Sequence, residues 1–161
     1  MAEVNPDAVL VIALGNELRG DDGAGLAVAR HVQERAAEVG IEVREFQGEP
    51  TALLDAWRAR GAAIVTDTMR SGAAPGTIRR LDAGREPLRA QLPGSFSTHA
   101  LGLEETIELA RALDQLPGTL VVYAVEGGAF ETGTGLSDEV RAAIPRLAEM
   151  ILGEAGRLRE T

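Results

Sequence analysis

At 161 residues the chain has the length of one domain, enough to bury about 70% of its unfolded surface around a single core. Apolar residues make up 45% and charged residues 25%, an ordinary globular balance. Sixteen basic against twenty-five acidic side chains leave a net charge of −9, which argues against nucleic acid or an anionic membrane as partner. The absence of cysteine excludes disulfides, thiolate zinc sites and a thiol nucleophile.

In chain order, Glu3 and Asp7 stand where a secretory leader would be basic, and the first apolar run is too short to span a bilayer, so a cytoplasmic protein is expected. That run, Ala8 to Leu14, is apolar without alternation, as suits a strand covered by helices on both faces. An acidic, glycine-rich stretch follows from Gly15 to Gly25. Leu26, Ala29, Val32, Ala36 and Val39 then recur at helical spacing, and Gly40 ends that helix. Ile41 to Phe46 alternates and predicts a strand nearer the sheet edge. Gln47 to Pro50 reads as a turn, with Thr51 capping a helix from Ala52 that presents Leu53, Leu54 and Trp57 on one side.

Ala62 to Thr66 predicts a third strand that delivers Asp67 at its carboxyl end. Ser71 to Gly76 is a loop, Thr77 to Leu81 a further strand, and Arg85 to Ser97 a surface excursion without a period. A helix after His99 runs through Ile107, Ala110 and Leu113. Thr119 to Val125 is the last strand. The closing helix, capped near Ser137, turns Val140, Ile144, Leu147 and Ile151 inward, and Gly153 to Thr161 reads as a frayed polar tail. Strands alternating with helices throughout predict a single α/β domain, a sandwich with a largely parallel sheet.

Parallel strands bring Asp22, Asp67 and His99 to one rim of such a sheet, where open α/β folds bind ligands. Two of these have a plainer reading: an aspartate at a helix start, as Asp22 is, can be a cap, and His99 suits an exposed helix start. One aspartate suffices for a cap, however, and the pair Asp21-Asp22 asks for a second role. Two carboxylates and an imidazole suit a first-row transition metal such as nickel, copper, iron or zinc. His31 lies opposite the apolar stripe of its helix and reads as solvated. Glu126 and Asp82 end strands and either join the site or start turns. No GxxxxGK[ST] loop, HExxH or GxSxG is present. The first loop lacks the leading glycine of a dinucleotide fingerprint, and Ser97 with His99 makes a poor hydrolase pair without an exposing elbow.

Three stretches carry a family resemblance: Gly15-Asn16-x-Leu18-x-x-Asp21-Asp22-x-x-Gly25; Ile64-Val65-Thr66-Asp67 with Pro75-Gly76-Thr77; and Thr98-His99-x-Leu101-Gly102-Leu103. In order and spacing the chain resembles the hydrogenase maturation proteases, the endopeptidases that trim the C-terminal tail from the large subunit of nickel–iron hydrogenases. The resemblance implies a three-layer α/β/α sandwich with a twisted five-stranded sheet. It also implies that Asp22, Asp67 and His99 are both the metal-binding and the catalytic residues, and that the nickel arrives with the precursor. One carboxylate would act as general base. The partner so implied is the hydrogenase large-subunit precursor, and a monomer binding neither nucleic acid nor membrane is expected. Two departures stand out: Ala13 replaces a glycine common in relatives, and Gln47-Gly48-Glu49-Pro50 replaces an Asp-Gly-Gly-Thr-like loop near the expected cleft. The alternative is a non-catalytic binding module or chaperone for the nickel-loaded subunit, distinguished by whether the precursor tail is shortened.

Overall fold

The structure, a computed structural model, describes residues 8–47, 49–58, 60–92, 95–96 and 102–160. Five strands form one sheet in the order β2-β1-β3-β6-β4: β1 (Val9–Leu14), β2 (Ile41–Phe46), β3 (Ala62–Arg70), β4 (Ile78–Asp82) and β6 (Thr119–Glu126). A two-residue strand, β5 (Ser95–Phe96), pairs antiparallel with the end of β3. β1, β2, β3 and β6 run parallel, and β4 lies antiparallel beside β6. The helices are α1 (Ala24–Val39), α2 (Pro50–Trp57), α3 (Leu88–Gln91), α4 (Leu103–Ala112) and α5 (Asp138–Arg159).

Every residue of β1 is buried, because helices cover both faces and no position is left for a polar side chain. Leu10, Ile12 and Leu14 join Leu53, Trp57, Leu103 and Ile107 in one core layer. Val9 and Val11 join Val28, Val32, Ile144, Leu147 and Ile151 in the other. α2 and α4 therefore lie on one face and α1 and α5 on the opposite one, which is the expected three-layer sandwich. Among the described residues no helix is long and apolar enough to cross a membrane.

Four expectations change. β3 does not stop at Thr66 but continues to Arg70, because β6 stays paired with it through Met69↔Glu126; Asp67 is a strand residue. The excursion after Arg85 contains α3 and β5 and buries Leu88 and Leu92 in the core. α2 starts at Pro50, a residue whose fixed φ and missing N–H suit the first helical turn, with Glu49 rather than Thr51 at its cap. The segment expected as a frayed tail is instead the last two turns of α5 to Arg159, because Ala155 is buried against the sheet layer and Glu154 is held by Arg80 and Tyr123.

The strand order places a topological switch point between β1 and β3. From β1 the chain crosses to β2 on one side, while β3 lies on the other, and the two connecting helices cover opposite faces. Crevices at the carboxyl ends of such strands are the ligand sites of doubly wound sheets. Pairing of β1 with β3 runs to Ala13↔Thr66, and β5 pairs β3 from Met69. Asp67 and Thr68 sit between those two partners, at the mouth of the crevice.

Candidate active site

The loop after β1 is built by its own backbone. The Asn16 N–H donates to the Asp22 carbonyl at 3.1 Å, and the Asn16 side chain accepts from the Leu18 N–H at 3.0 Å. A short 3-10 helix, Gly20–Gly23, then leads into α1. Gly15 has φ +149, and a Cβ there would overlap the Asp22 carbonyl. Gly25 is pressed against the ends of both central strands: a Cβ would collide with the Leu14 carbonyl and lie 3.1 Å from that of Thr66. Gly25→Ala is therefore expected to push α1 off the sheet and cost about 1–3 kcal/mol, the usual effect of overpacking. Urea unfolding checks this value.

The two adjacent aspartates have separate roles, and neither caps α1, whose cap position is Gly23 without a side-chain bond. The Asp21 carboxylate accepts from the N–H groups of Gly128 (2.7 Å), Ala129 (2.9 Å) and Ser137 (2.7 Å) and from the Ser137 hydroxyl (2.9 Å). Its own N–H donates to the Ala129 carbonyl at 2.7 Å, and its carbonyl accepts from the Thr68 hydroxyl at 2.8 Å. Burial alone would raise its pKa; the bonds from Gly128, Ser137 and Ala129 outweigh that and hold the carboxyl below its ordinary range. Asp21 is a clasp between the first loop and the segment after β6. The Ser137 hydroxyl serves that clasp and makes no cap bond to α5, which corrects its expected role as the helix's side-chain cap.

Asp22 and Asp67 are fully buried at this rim. The Arg19 guanidinium approaches Asp22 at 3.9 Å, and Asp67 Oδ1 accepts the Thr68 N–H at 2.8 Å. The 3-10 helix that carries Asp22 packs against β3, which carries Asp67. His99 lies outside the described residues. Among the described residues no group of three His, Cys, Asp or Glu side chains is arranged to hold a metal ion.

The remaining candidates are engaged elsewhere or lie apart from Asp22 and Asp67. Glu126 is buried at the same rim, but its carboxylate accepts the Ser71 N–H at 3.0 Å and the Ser71 hydroxyl. Its backbone joins Gly76 and Thr77 by two bonds of 2.8 Å. It organises the loop that carries Pro75-Gly76-Thr77, the turn role weighed for it from sequence. Asp82 pairs with Val121 near the start of β6, at the opposite end of the sheet, and its side chain receives the Arg85 N–H. His31 is exposed on α1. Sequence reasoning passed over Arg70, whose guanidinium lies 3.7 Å from the Phe130 ring centroid; its only sequence signal is a position three residues beyond Asp67.

Fold and rim together define a doubly wound α/β protein whose crevice is furnished with buried carboxylates instead of a phosphate-binding loop. The particular kind follows from comparison with known proteins. Residues 27–154 match the family model for hydrogenase maturation proteases; the chain belongs to that family and is a peptidase. It is 29% identical over 154 residues to a putative hydrogenase maturation protease of Methanocaldococcus jannaschii, covering 91% of this chain and 95% of that one. Among solved structures it is similar to the [NiFe] hydrogenase maturation protease HybD of Thermococcus kodakarensis, with TM-score 0.74, 27% identity and coverage of 92% and 99%. It is also similar to the hydrogenase maturating endopeptidase HybD of E. coli, with TM-score 0.76, 25% identity and 91% of each chain covered.

Proposed function

We propose that this peptidase removes the C-terminal tail from the large-subunit precursor of a nickel–iron hydrogenase, and that it recognises nickel already seated in that precursor. The observation that carries the reading is the placement of two fully buried carboxylates, Asp22 and Asp67, at the β1/β3 switch point. Carboxylates withdrawn from water attract a cation more strongly than solvated ones, because less dielectric screening intervenes. His99 completes the donor set through the family resemblance, and β5 ends three residues before it. On this reading the precursor's nickel polarises the scissile carbonyl and acidifies a water. The chain's own groups position that metal, and one aspartate takes the proton of the attacking water. An empty precursor offers the crevice no such anchor, so the metal doubles as a checkpoint for completed loading. The enzyme itself then needs no resident metal, and we place it in the cytoplasm as a monomer, apart from nucleic acid and membrane.

The test uses enzyme stripped with chelator and exchanged into metal-free buffer, mixed with nickel-loaded or nickel-free precursor and read by mass spectrometry. Only the loaded precursor is expected to lose the mass of its tail. Elemental analysis showing about one firmly bound zinc per chain, with activity lost on its removal, would make this an ordinary zinc peptidase. Equal cutting of the empty precursor would remove the checkpoint.

A further inference from the structure

Arg70 is the last residue of β3, three beyond Asp67, and its side chain is exposed. Its guanidinium carbon lies over the Phe130 ring, 3.7 Å from the centroid. Phe130 is anchored into the frame of the site. It follows Ala129, whose N–H and carbonyl both engage Asp21, the neighbour of Asp22. Its ring also fills the space beside Gly127 and the Thr68 methyl, and the Thr68 hydroxyl in turn donates to the Asp21 carbonyl. Among the described residues no carboxylate pairs with Arg70. Glu126, opposite Met69 in the sheet register, is engaged by Ser71. In a chain of net charge −9, Arg70 is a cation held in place by a ring, with no carboxylate on its N–H edges among the described residues.

A guanidinium stacked on an aromatic face has already lost much of its rotamer freedom, and its remaining donors suit a carboxylate bidentately. We propose that Arg70, positioned by Phe130, is a specificity residue that binds a carboxylate on the tail of the precursor, beside the crevice that holds the scissile bond. This rests on the function proposed above. The carboxylate is either an acidic side chain of the tail or its terminal carboxylate, and both have the same chemistry. The contact lies outside the reacting atoms, so it acts on substrate affinity and leaves the chemical step alone.

The experiment measures binding of nickel-loaded precursor and steady-state cleavage for wild type, Arg70→Ala, Arg70→Lys and Phe130→Leu. Three precursors are compared: native, one with the tail's acidic side chains changed to amides, and one with a short neutral extension that displaces the terminal carboxylate. Arg70→Ala is expected to raise KM about tenfold, as loss of a charge-assisted bond does, with kcat nearly unchanged. Arg70→Lys should recover part of the loss, and Phe130→Leu, which keeps the apolar bulk, should show an intermediate one. One of the two altered precursors should reproduce the loss on wild-type enzyme and add nothing on Arg70→Ala, which identifies the source of the carboxylate. An unchanged KM in Arg70→Ala, or losses that simply add on both altered precursors, would overturn the proposal while leaving the function standing. Failure of wild-type enzyme to bind the native precursor would overturn both.

Discussion

Asp22→Asn and Asp67→Asn are each expected to reduce tail removal by about 10²–10⁴-fold, the range for losing a general base or its charge, while the protein remains folded. The sequence alone places these residues in loops at the sheet rim, where substitution is tolerated because the site is at the surface. The structure changes that reason: both side chains are fully buried. Asparagine is the right probe because it keeps the volume and planar shape and one acceptor oxygen, which for Asp67 can still receive the Thr68 N–H, while it removes the charge. Thermal unfolding should show a Tm lowered by a few degrees at most, since Asp22 loses its charge opposite Arg19. A cooperative transition beside the lost activity then shows that the fold is kept. His99→Ala is expected to be equally inactive on nickel-loaded precursor. Retained cleavage in any of the three variants, read by mass spectrometry, would remove that residue from the site.

Asp21→Ala, one position earlier, should fail in the opposite way. It withdraws the acceptor from three backbone N–H groups and a hydroxyl, so about 2–4 kcal/mol of stability is expected to go. In a domain of this size that corresponds to roughly 5–15 °C in Tm. The pH dependence has a definite sign. The folded-state pKa of Asp21 lies below its ordinary value of 3.8, so the carboxylate contributes fully above that value. Its contribution is lost as pH falls through the lowered folded-state pKa. Wild type and Asp21→Ala should differ most in urea unfolding at neutral pH and converge in acid below the ordinary carboxylate range. A difference that stays constant down to pH 2 would show that the bonds do not depend on the charge. Set beside Asp22→Asn, the pair separates a stability defect from a catalytic one in two adjacent residues of the same type.

The periodicities that predicted the sheet and helices were reliable where burial is two-sided or one-faced. The apolar run of β1 and the stripes of α1 and α5 could hardly pack otherwise. They misjudged β3 and the end of α5 for a common reason. Each of those boundaries is decided by a neighbour distant in sequence: β6 extends β3, and the sheet layer together with Arg80 and Tyr123 holds the last turns of α5. The start of α2 is different, because Pro50 opens the helix by its own fixed φ and missing N–H. The candidate site was legible in part. Asp22 and Asp67 stood out as candidates because parallel strands deliver their carboxyl ends to one rim, but nothing local distinguishes Asp21 from Asp22. Both are aspartates in one 3-10 turn, and only the segment from Gly128 to Ser137, more than a hundred residues later, determines which of them is clasped.

The sequence by itself determined the layer architecture, the exclusion of thiol and phosphate-loop chemistry, and the presence of two candidate acids beside the first and third strands. Those follow from hydrophobic period, composition and spacing, which are properties of the chain before it folds. Tertiary structure alone decided that Asp21 is a clasp and that Glu126 serves a turn. It also decided that Asp82 lies at the far end of the sheet and that Arg70 is stacked over Phe130. Each of these depends on which donors, acceptors and rings the fold brings together from remote positions, and a carboxylate or guanidinium takes its role from those partners.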